Sequence, residues 1–198
     1  MISNFIDKAI KFAGKKHSGM IRKGDGKIYF YHPLEALIVA SSLTDDEDIL
    51  AACVLHDVVE DTPATIEEIL KEFNPRVAKL VASESEDKRG NKNKADTWKE
   101  RKEEAIDKVR NAEDIGTKII TLSDKISNLR SLHSVILKKG DATWDAFNMK
   151  DPLMHYWYYD SLREAFSELK DTAAYQEYCY LLNEIFGRYL NKGEKHEQ

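Results

Sequence analysis

The chain has 198 residues, 42% of them hydrophobic, and 30 basic against 35 acidic residues give a formal net charge of −5. This length and composition are typical of a soluble protein with one core. A net negative charge argues against general binding of DNA or RNA, so an anionic substrate would have to meet locally gathered cations. The sequence contains no apolar stretch long enough to span a bilayer.

The two cysteines give an expectation about the compartment. Cys53 and Cys179 are far apart in the sequence, and neither belongs to a CxxC motif. Both are therefore predicted to be reduced core residues. The first residues lack the basic start of a signal peptide. We expect a cytoplasmic protein that has no membrane partner.

Apolar residues recur at helical spacing along most of the chain. Thr65 is a candidate helix cap, and Pro75 and Pro152 stand where the first position of a helix tolerates proline. The sequence predicts an all-α protein. The predicted helices cover 2–17, 33–43, 46–61, 66–73, 75–83, 98–112, 115–138, a segment from 152 onward, and 175–189.

Two segments between these helices are predicted to be loops. Residues 19–31 contain glycines and a candidate extended hairpin around Lys27 to Tyr31. Residues 84–96 form a charge-rich linker, which we predict to lie over the functional site. Lys88 and its basic neighbours there could meet phosphate, although a solvated run of charges is the favoured interpretation.

The run HDVVEDT, residues 56–62, is the most informative motif. It follows the apolar run 49–55, which is predicted to be a buried helix. His56 and Asp57 would then stand at the edge of a core, where charged groups need partners. The ordinary alternative is a polar helix end whose charges are solvated.

The second half of this motif places two more carboxylates nearby. Positions four apart share a helix face, so Glu60 is expected next to His56 and Asp61 next to Asp57. Pro63 ends the helix. Carboxylates are unfavourable at the negative end of a helix macrodipole unless a cation offsets them. The motif therefore indicates a metal site.

Two distant residues could complete such a site. His32 precedes Pro33 at the start of an apolar helix, where a histidine is more often a capping or core residue than a ligand. Asp124 lies within an apolar-periodic helix, although aspartate is a poor helix former, and an ordinary salt bridge is its alternative explanation. With His56 and Asp57 they would supply two imidazoles and two carboxylates.

Such a donor set predicts a particular chemistry. Without a thiolate it suits Mn²⁺, Fe²⁺, Co²⁺ or Zn²⁺ better than copper or an iron–sulfur cluster. A divalent ion lowers the pKa of bound water from about 15.7 toward 7 and offsets charge on phosphoryl oxygens. Glu60 or Asp61 could then accept a proton. The residues thus indicate hydrolysis of a phosphate ester or anhydride.

The order of His32, His56-Asp57 and Asp124 resembles the HD superfamily of metal-dependent phosphohydrolases. The flanking residues are similar to the hydrolase domain of RelA/SpoT homologues and to small alarmone hydrolases. The similar segments, which fall within residues 2 to about 130, are HSGMIRKGDGKIYFYHP at 17–33, HDVVEDT at 56–62 and LSDKISNLR at 122–130.

This chain departs from that group at two places. Ile28 stands where the group usually has proline, and the segment 82–102 is more hydrophilic than in shorter members. Substrate preference is therefore less firmly implied than the metal site.

The resemblance implies an all-α HD-domain helical bundle with an appended C-terminal helical pair. Residues 1–198 would form a single HD-type phosphohydrolase domain, with a metal-site bundle over 1–140 and packing helices over 150–193. The implied cofactor is one divalent metal ion, Mn²⁺. Its implied ligands are His32, His56, Asp57 and Asp124.

The resemblance also implies roles around the metal. Glu60 and Asp61 would orient and activate water. A second group of residues would hold the nucleotide, its phosphates and its ribose. These substrate-binding candidates are Arg22, Lys23, Tyr29, Lys88 and Asn128.

The implied activity is hydrolysis of the 3′-pyrophosphate of guanosine alarmones of the stringent response. It would convert ppGpp or pppGpp to GDP or GTP and pyrophosphate. One alternative is an HD phosphohydrolase for another nucleotide, an NADPH phosphatase or a 5′-nucleotidase. The other is a non-catalytic alarmone-binding module, against which the intact Glu60–Asp61 pair argues. The partner in each case is a small-molecule nucleotide.

Aromatic residues mark the C-terminal helices. These helices could pack over the bundle, form a homodimer face or stack on a base. Packing is favoured, because an aromatic stripe at helical spacing is usually core. His155 and Tyr156 lie near a helix start and could approach a phosphate.

Overall fold

The computed structural model describes residues 4–22, 26–85, 93 and 95–193. Within these residues the regular secondary structure is helical apart from one antiparallel bridge, between Ile21 and Ile28. This confirms the all-α expectation. The helices are α1 (Asn4–Lys16), α2 (Tyr31–Ala40), α3 (Glu47–Leu55), α4 (Val58–Asp61), α5 (Ile66–Glu72), α6 (Pro75–Glu84), α7 (Trp98–Arg110), α8 (Ile115–Lys139), α9 (Pro152–Ala165) and α10 (Ala173–Gly193).

Two predicted features fall wholly or partly outside the described residues. Lys23 and Lys88 lie outside them, as does most of the predicted loop over 84–96. Glu84 is described, and it is the last residue of α6 rather than the first residue of a linker. The prediction of a loop over the site stays a prediction.

The predicted helix over 46–61 is two helices, because the chain turns at His56 and Asp57. The His56 Nδ1 atom lies 2.7 Å from the carbonyl oxygen of Cys53. In a continuous helix that carbonyl would accept from the amide of Asp57. The histidine side chain therefore competes for the backbone acceptor at the position where α3 ends.

The helix after the first loop begins two residues earlier than predicted. It starts at Tyr31, and the His32 amide donates to the Tyr29 carbonyl at 3.0 Å. His32 is therefore a residue of the first helical turn and does not cap the helix. Because His32 is part of the helix, the helix fixes the backbone position from which its side chain extends.

Side chains cap the starts of α5 and α9, and the Thr65 cap confirms the prediction. The Thr65 hydroxyl accepts from the Glu68 amide at 3.3 Å at the start of α5, and the Asp151 carboxylate accepts from the Leu153 amide at 2.8 Å at the start of α9. The Glu68 carboxylate lies 2.7 Å from Lys16 Nζ. This ion pair joins α5 to α1.

The chain divides into two compact units. The first unit comprises Met1–Glu86 and Ala112–Ser127. At its centre α3 packs against α1, α2 and α6. Residues 51–55 of α3 are fully buried. Because the apolar run leads directly into His56 and Asp57, its burial fixes where those two side chains emerge.

A polar network fixes the starts of three helices in this unit. Arg76, in the first turn of α6, donates to Asp46 at 2.6 Å and to Asp114 at 3.1 Å. Asp46 caps α3 and Asp114 precedes α8. The Arg76 guanidinium therefore connects the start of α3, which leads into His56, to the start of α8, which carries Asp124.

The second unit comprises Asp87–Asn111 and Asn128–Gln198. Its helix α9 packs against α7 and α10. His155 is buried there, with its ring between 5.1 and 5.3 Å from those of Trp98, Trp144 and Phe147, and its Nε2 atom lies 2.8 Å from the Met149 carbonyl.

Packing therefore accounts for His155, and for Tyr156, whose ring lies 5.8 Å from that of Phe186. The structure assigns this aromatic stripe to the core of the second unit. Among the described residues, no helix combines the length and hydropathy that a membrane crossing requires.

Candidate metal centre

The four predicted metal ligands lie together. His32 is in the first turn of α2, His56 and Asp57 form the turn after α3, and Asp124 lies on α8. The two imidazole Nε2 atoms are 3.3 Å apart. Asp124 Oδ1 lies 3.1 and 3.6 Å from the Nε2 atoms of His32 and His56, and Asp57 Oδ2 lies 3.3 and 3.2 Å from the same two atoms.

This spacing suits a single ion. Donor atoms held about 2.1 Å from a shared ion are about 3.0 Å apart at right angles and about 3.4 Å apart in a tetrahedron. The separations of 3.1 to 3.3 Å fall in that range, and the separation of 3.6 Å between His56 and Asp124 is slightly longer. His32, His56 and Asp124 are all buried and could hold a metal. Asp57 is not part of that group of three, although its Oδ2 atom lies close to both imidazoles. Nitrogen and oxygen donors fit a divalent cation that also binds water.

Electrostatics in the cluster favour a cation. Burial alone would lower the pKa of His56, but the charges of Asp57 and Asp124 hold it well above the ordinary value. Burial alone would raise the pKa values of the two carboxyl groups, yet His56 keeps that of Asp57 well below its usual range, and Lys125 does the same for Asp124. A divalent cation can replace the proton that this site holds on an imidazole.

Tyr29 connects the cluster to the acidic pair. Its hydroxyl oxygen lies 2.6 Å from Asp57 Oδ2 and 2.5 Å from Asp61 Oδ2. Burial and the neighbouring Asp57 raise the pKa of Tyr29, so the phenol stays a hydrogen-bond donor. The structure thus brings Asp61 beside Asp57, as helical spacing predicts, and places Glu60 on the same short helix, α4.

The structure leaves the substrate-binding candidates as predictions. Arg22 is partly buried in the turn that follows Ile21, and its amide donates to the Lys27 carbonyl at 2.8 Å. Asn128 is partly buried on α8, four residues after Asp124. The Tyr29 hydroxyl lies between the carboxylates of Asp57 and Asp61.

Sequence reasoning missed a carboxyl group near the cluster. Glu84, at the end of α6, accepts from the Thr121 hydroxyl at 2.9 Å. Burial raises the pKa of Glu84 to about 7, with Lys125 opposing and Asp124 adding to the rise. Helical spacing from the buried Val77 and Val81 would have revealed that Glu84 continues their face.

His17 also lies near the cluster. Its ring is 1% exposed and lies tilted against the Tyr29 ring, with centroids 4.9 Å apart. Within the described residues neither ring nitrogen has a hydrogen-bond partner. Burial lowers the pKa of His17, so the ring is neutral.

Comparison with known proteins agrees with this arrangement. The model of the HD-domain family matches residues 9–146. A guanosine-3′,5′-bis(diphosphate) 3′-pyrophosphohydrolase of Aquifex aeolicus is 36% identical over 127 residues, which is 64% of this chain and 18% of that protein. The bifunctional (p)ppGpp synthase/hydrolase SpoT of Escherichia coli is 28% identical over 182 residues, 91% of this chain and 26% of SpoT.

These relatives are much longer than the part that this chain matches, since it spans 18 to 26% of their length. Solved structures match over more of their length. A metazoan SpoT orthologue, described as hydrolysing ppGpp, gives a TM-score of 0.72 at 26% identity over 96% of this chain and 97% of its own.

A Listeria monocytogenes protein gives a TM-score of 0.68 at 29% identity, over 79% of this chain and 99% of its own. The resemblance to RelA/SpoT hydrolase domains is thus confirmed from both sequence and structure. The matched segment includes all four clustered side chains. The chain belongs to the HD-domain family.

Proposed function

We propose that this chain hydrolyses the 3′-pyrophosphate of guanosine alarmones, converting ppGpp or pppGpp to GDP or GTP and pyrophosphate. One observation carries the proposal: four nitrogen and oxygen donors from three separate segments converge, and Tyr29 joins Asp61 of the neighbouring carboxylate pair to them. The activities of the Aquifex protein and of the metazoan SpoT orthologue support the choice of substrate.

The proposed ligands are His32, His56, Asp57 and Asp124. A divalent ion there, which we propose to be Mn²⁺, would supply an acidified water and positive charge near phosphoryl oxygens. The His56 imidazole offers a neutral nitrogen donor once it loses the proton that Asp57 and Asp124 stabilise. The donor set excludes no first-row divalent ion, so the choice of Mn²⁺ rests on the family.

The proposed reaction transfers a pyrophosphoryl group to water. The water oxygen forms a bond to the phosphorus next to the ribose, the bond between that phosphorus and the 3′ oxygen breaks, and the 3′ oxygen takes up a proton. Glu60 or Asp61 accepts the proton that water loses. Tyr29 holds Asp61 by its hydroxyl, which fixes the carboxylate beside Asp57.

Cations must also meet the substrate, because the chain as a whole is acidic. We propose that Arg22 grips a phosphate in forked geometry and that Lys23 and Lys88 add point charges. Asn128 would contact the ribose. Residues 1–198 would act as one phosphohydrolase domain in the cytoplasm, as a monomer or a homodimer, without DNA, RNA or membrane partners.

The test is pyrophosphate release by the purified chain. With Mn²⁺ present we expect pyrophosphate from ppGpp and pppGpp, and none after chelation with EDTA. Glu60→Gln with Asp61→Asn should lower turnover by about 10²- to 10⁴-fold while nucleotide binding persists. Exposed Glu103→Gln, on α7, is the matched charge control and should retain wild-type turnover.

Other substrates distinguish the alternatives. Phosphate release from NADPH or from deoxynucleoside monophosphates, without pyrophosphate release from ppGpp, would replace the proposal with a phosphatase or nucleotidase. Tight binding of ppGpp, without hydrolysis in the presence of any of the divalent metal ions tested, would indicate a binding module instead.

A further inference from the structure

A chain of three side chains lies behind one of the proposed metal ligands. The Ser127 hydroxyl oxygen is 2.8 Å from His32 Nδ1 and 2.7 Å from Glu35 Oε2. Ser127 is fully buried on α8, and Glu35 lies one turn after His32 on α2. The contact therefore joins the two helices that carry His32 and Asp124.

The direction of the hydrogen bonds follows from the number of protons. A serine hydroxyl has one proton, and a carboxylate can only accept. Ser127 must therefore donate to Glu35, and its oxygen lone pair accepts the Nδ1 proton of His32. The opposite arrangement would leave two acceptors, Glu35 Oε2 and Ser127 Oγ, facing each other without a proton between them.

This arrangement leaves the Nε2 lone pair of His32 available for a metal. The Nε2 atom is the one that lies 3.1 Å from Asp124 Oδ1. A neutral imidazole carries one proton, so a proton held on Nδ1 is a proton absent from Nε2. The ring is then both oriented and in the tautomer that can bind an ion.

His56 reaches the same state by another means. Its Nδ1 atom lies 2.7 Å from the Cys53 carbonyl oxygen, which can only accept. The backbone therefore sets the tautomer of His56, and no side-chain substitution removes that acceptor. At His32 the corresponding acceptor is a side chain, and a mutation can remove it.

We propose that Ser127 and Glu35 are positioning residues of the metal centre, which act together to fix the tautomer and orientation of His32. This inference rests on the proposed function only in taking His32 as a metal ligand. Partners behind a ligating histidine typically contribute about 10- to 100-fold to metal affinity. Ser127 can contribute this much only because it has Glu35 to accept its own proton.

The experiment measures Zn²⁺ affinity by competition with a chelator. Because Zn²⁺ is diamagnetic, the zinc-loaded protein can also be studied by NMR. Ser127→Ala should weaken Zn²⁺ binding by about 10- to 100-fold and abolish the protected His32 Nδ1–H resonance. Ser127→Thr keeps the hydroxyl and should restore both. The resonance is assigned by its loss in His32→Gln.

Ser123→Ala is the matched control. Ser123 is also fully buried on α8, one turn before Ser127, and its hydroxyl donates to the Ile119 carbonyl of its own helix at 2.7 Å. The same deletion there should change Zn²⁺ affinity by less than about twofold, since that bond does not reach a ligand. Circular dichroism confirms that each variant is folded.

Three results would overturn the proposal. They are a Ser127→Ala protein that binds Zn²⁺ as wild type does, a His32 Nδ1–H resonance that survives in it, and an equal loss of affinity in Ser123→Ala. These measurements do not involve alarmone hydrolysis, so they remain valid if the chain proves to act on a different substrate. Absence of Zn²⁺ binding by the wild-type protein would refute the metal centre and the positioning role together.

Discussion

Replacing Glu84 by glutamine should alter how the stability of the metal-free protein depends on pH. The raised pKa of Glu84, about 7 against an ordinary 4.5, means that the unfolded chain ionises before the folded one. Below pH 4.5 both states are protonated and the residue contributes nothing to this difference. Between pH 4.5 and 7 the folded state loses relative stability, and above pH 7 the loss is complete.

The magnitude follows from the pKa difference. At about 1.4 kcal/mol per pKa unit, a difference of about 2.5 gives about 3 kcal/mol. Because Glu84 keeps some exposure to solvent, this figure is an upper limit. The charged groups that act on it are Lys125, Asp124 and His56, and they are unchanged in the variant.

Glutamine is close to glutamate in shape and can still accept from Thr121. In EDTA, Glu84→Gln should therefore gain up to about 3 kcal/mol relative to wild type on going from pH 4.5 to pH 8. Urea unfolding followed by circular dichroism across this range measures the difference. Exposed Glu103→Gln is the control, and a constant gap between Glu84→Gln and wild type at every pH would refute the reasoning.

Three further outcomes are expected. Metal binding near pH 7 should release about one proton, because Asp57 and Asp124 overcome the effect of burial and hold the pKa of His56 well above 6.5. Calorimetry in buffers of different ionisation enthalpy counts the protons released, and a count of zero would contradict this prediction. Tyr29→Phe should lower the free energy of unfolding by about 2 kcal/mol, since it removes the one proton that the phenol can donate to Asp57 or Asp61; an unchanged denaturation midpoint would contradict this prediction. Arg76→Ala should lower the free energy of unfolding in urea by about 1 kcal/mol, a small loss because the guanidinium is 39% exposed. The substitution should leave Zn²⁺ affinity unchanged, and a large loss of affinity would show that Arg76 controls the geometry of the metal centre.

Much of the helical structure could be predicted, because apolar spacing and caps are local properties of a sequence. The Thr65 and Asp151 caps and the long helix from Ile115 are examples. The turn at His56 could not, since the competing bond to Cys53 depends on a side-chain conformation.

The candidate site shows a similar division. Residue types and order predict His32, His56, Asp57 and Asp124 as metal ligands, and the structure brings these side chains together, with His32, His56 and Asp124 in a group that could hold a metal. The link from Ser127 to Glu35 joins residues 92 positions apart, and serine and glutamate at those places carry no local signal. Contacts of this kind depend on how two helices pack, which the sequence does not state.

The shortness of α4 has a consequence for the acidic pair. Four residues cannot sustain a helix alone, because nucleation is unfavourable until many more bonds have formed. The geometry of Asp61 therefore depends on tertiary contacts, among them its hydrogen bond with Tyr29. A substitution that displaces Tyr29 would thus shift Asp61 without changing the α4 sequence.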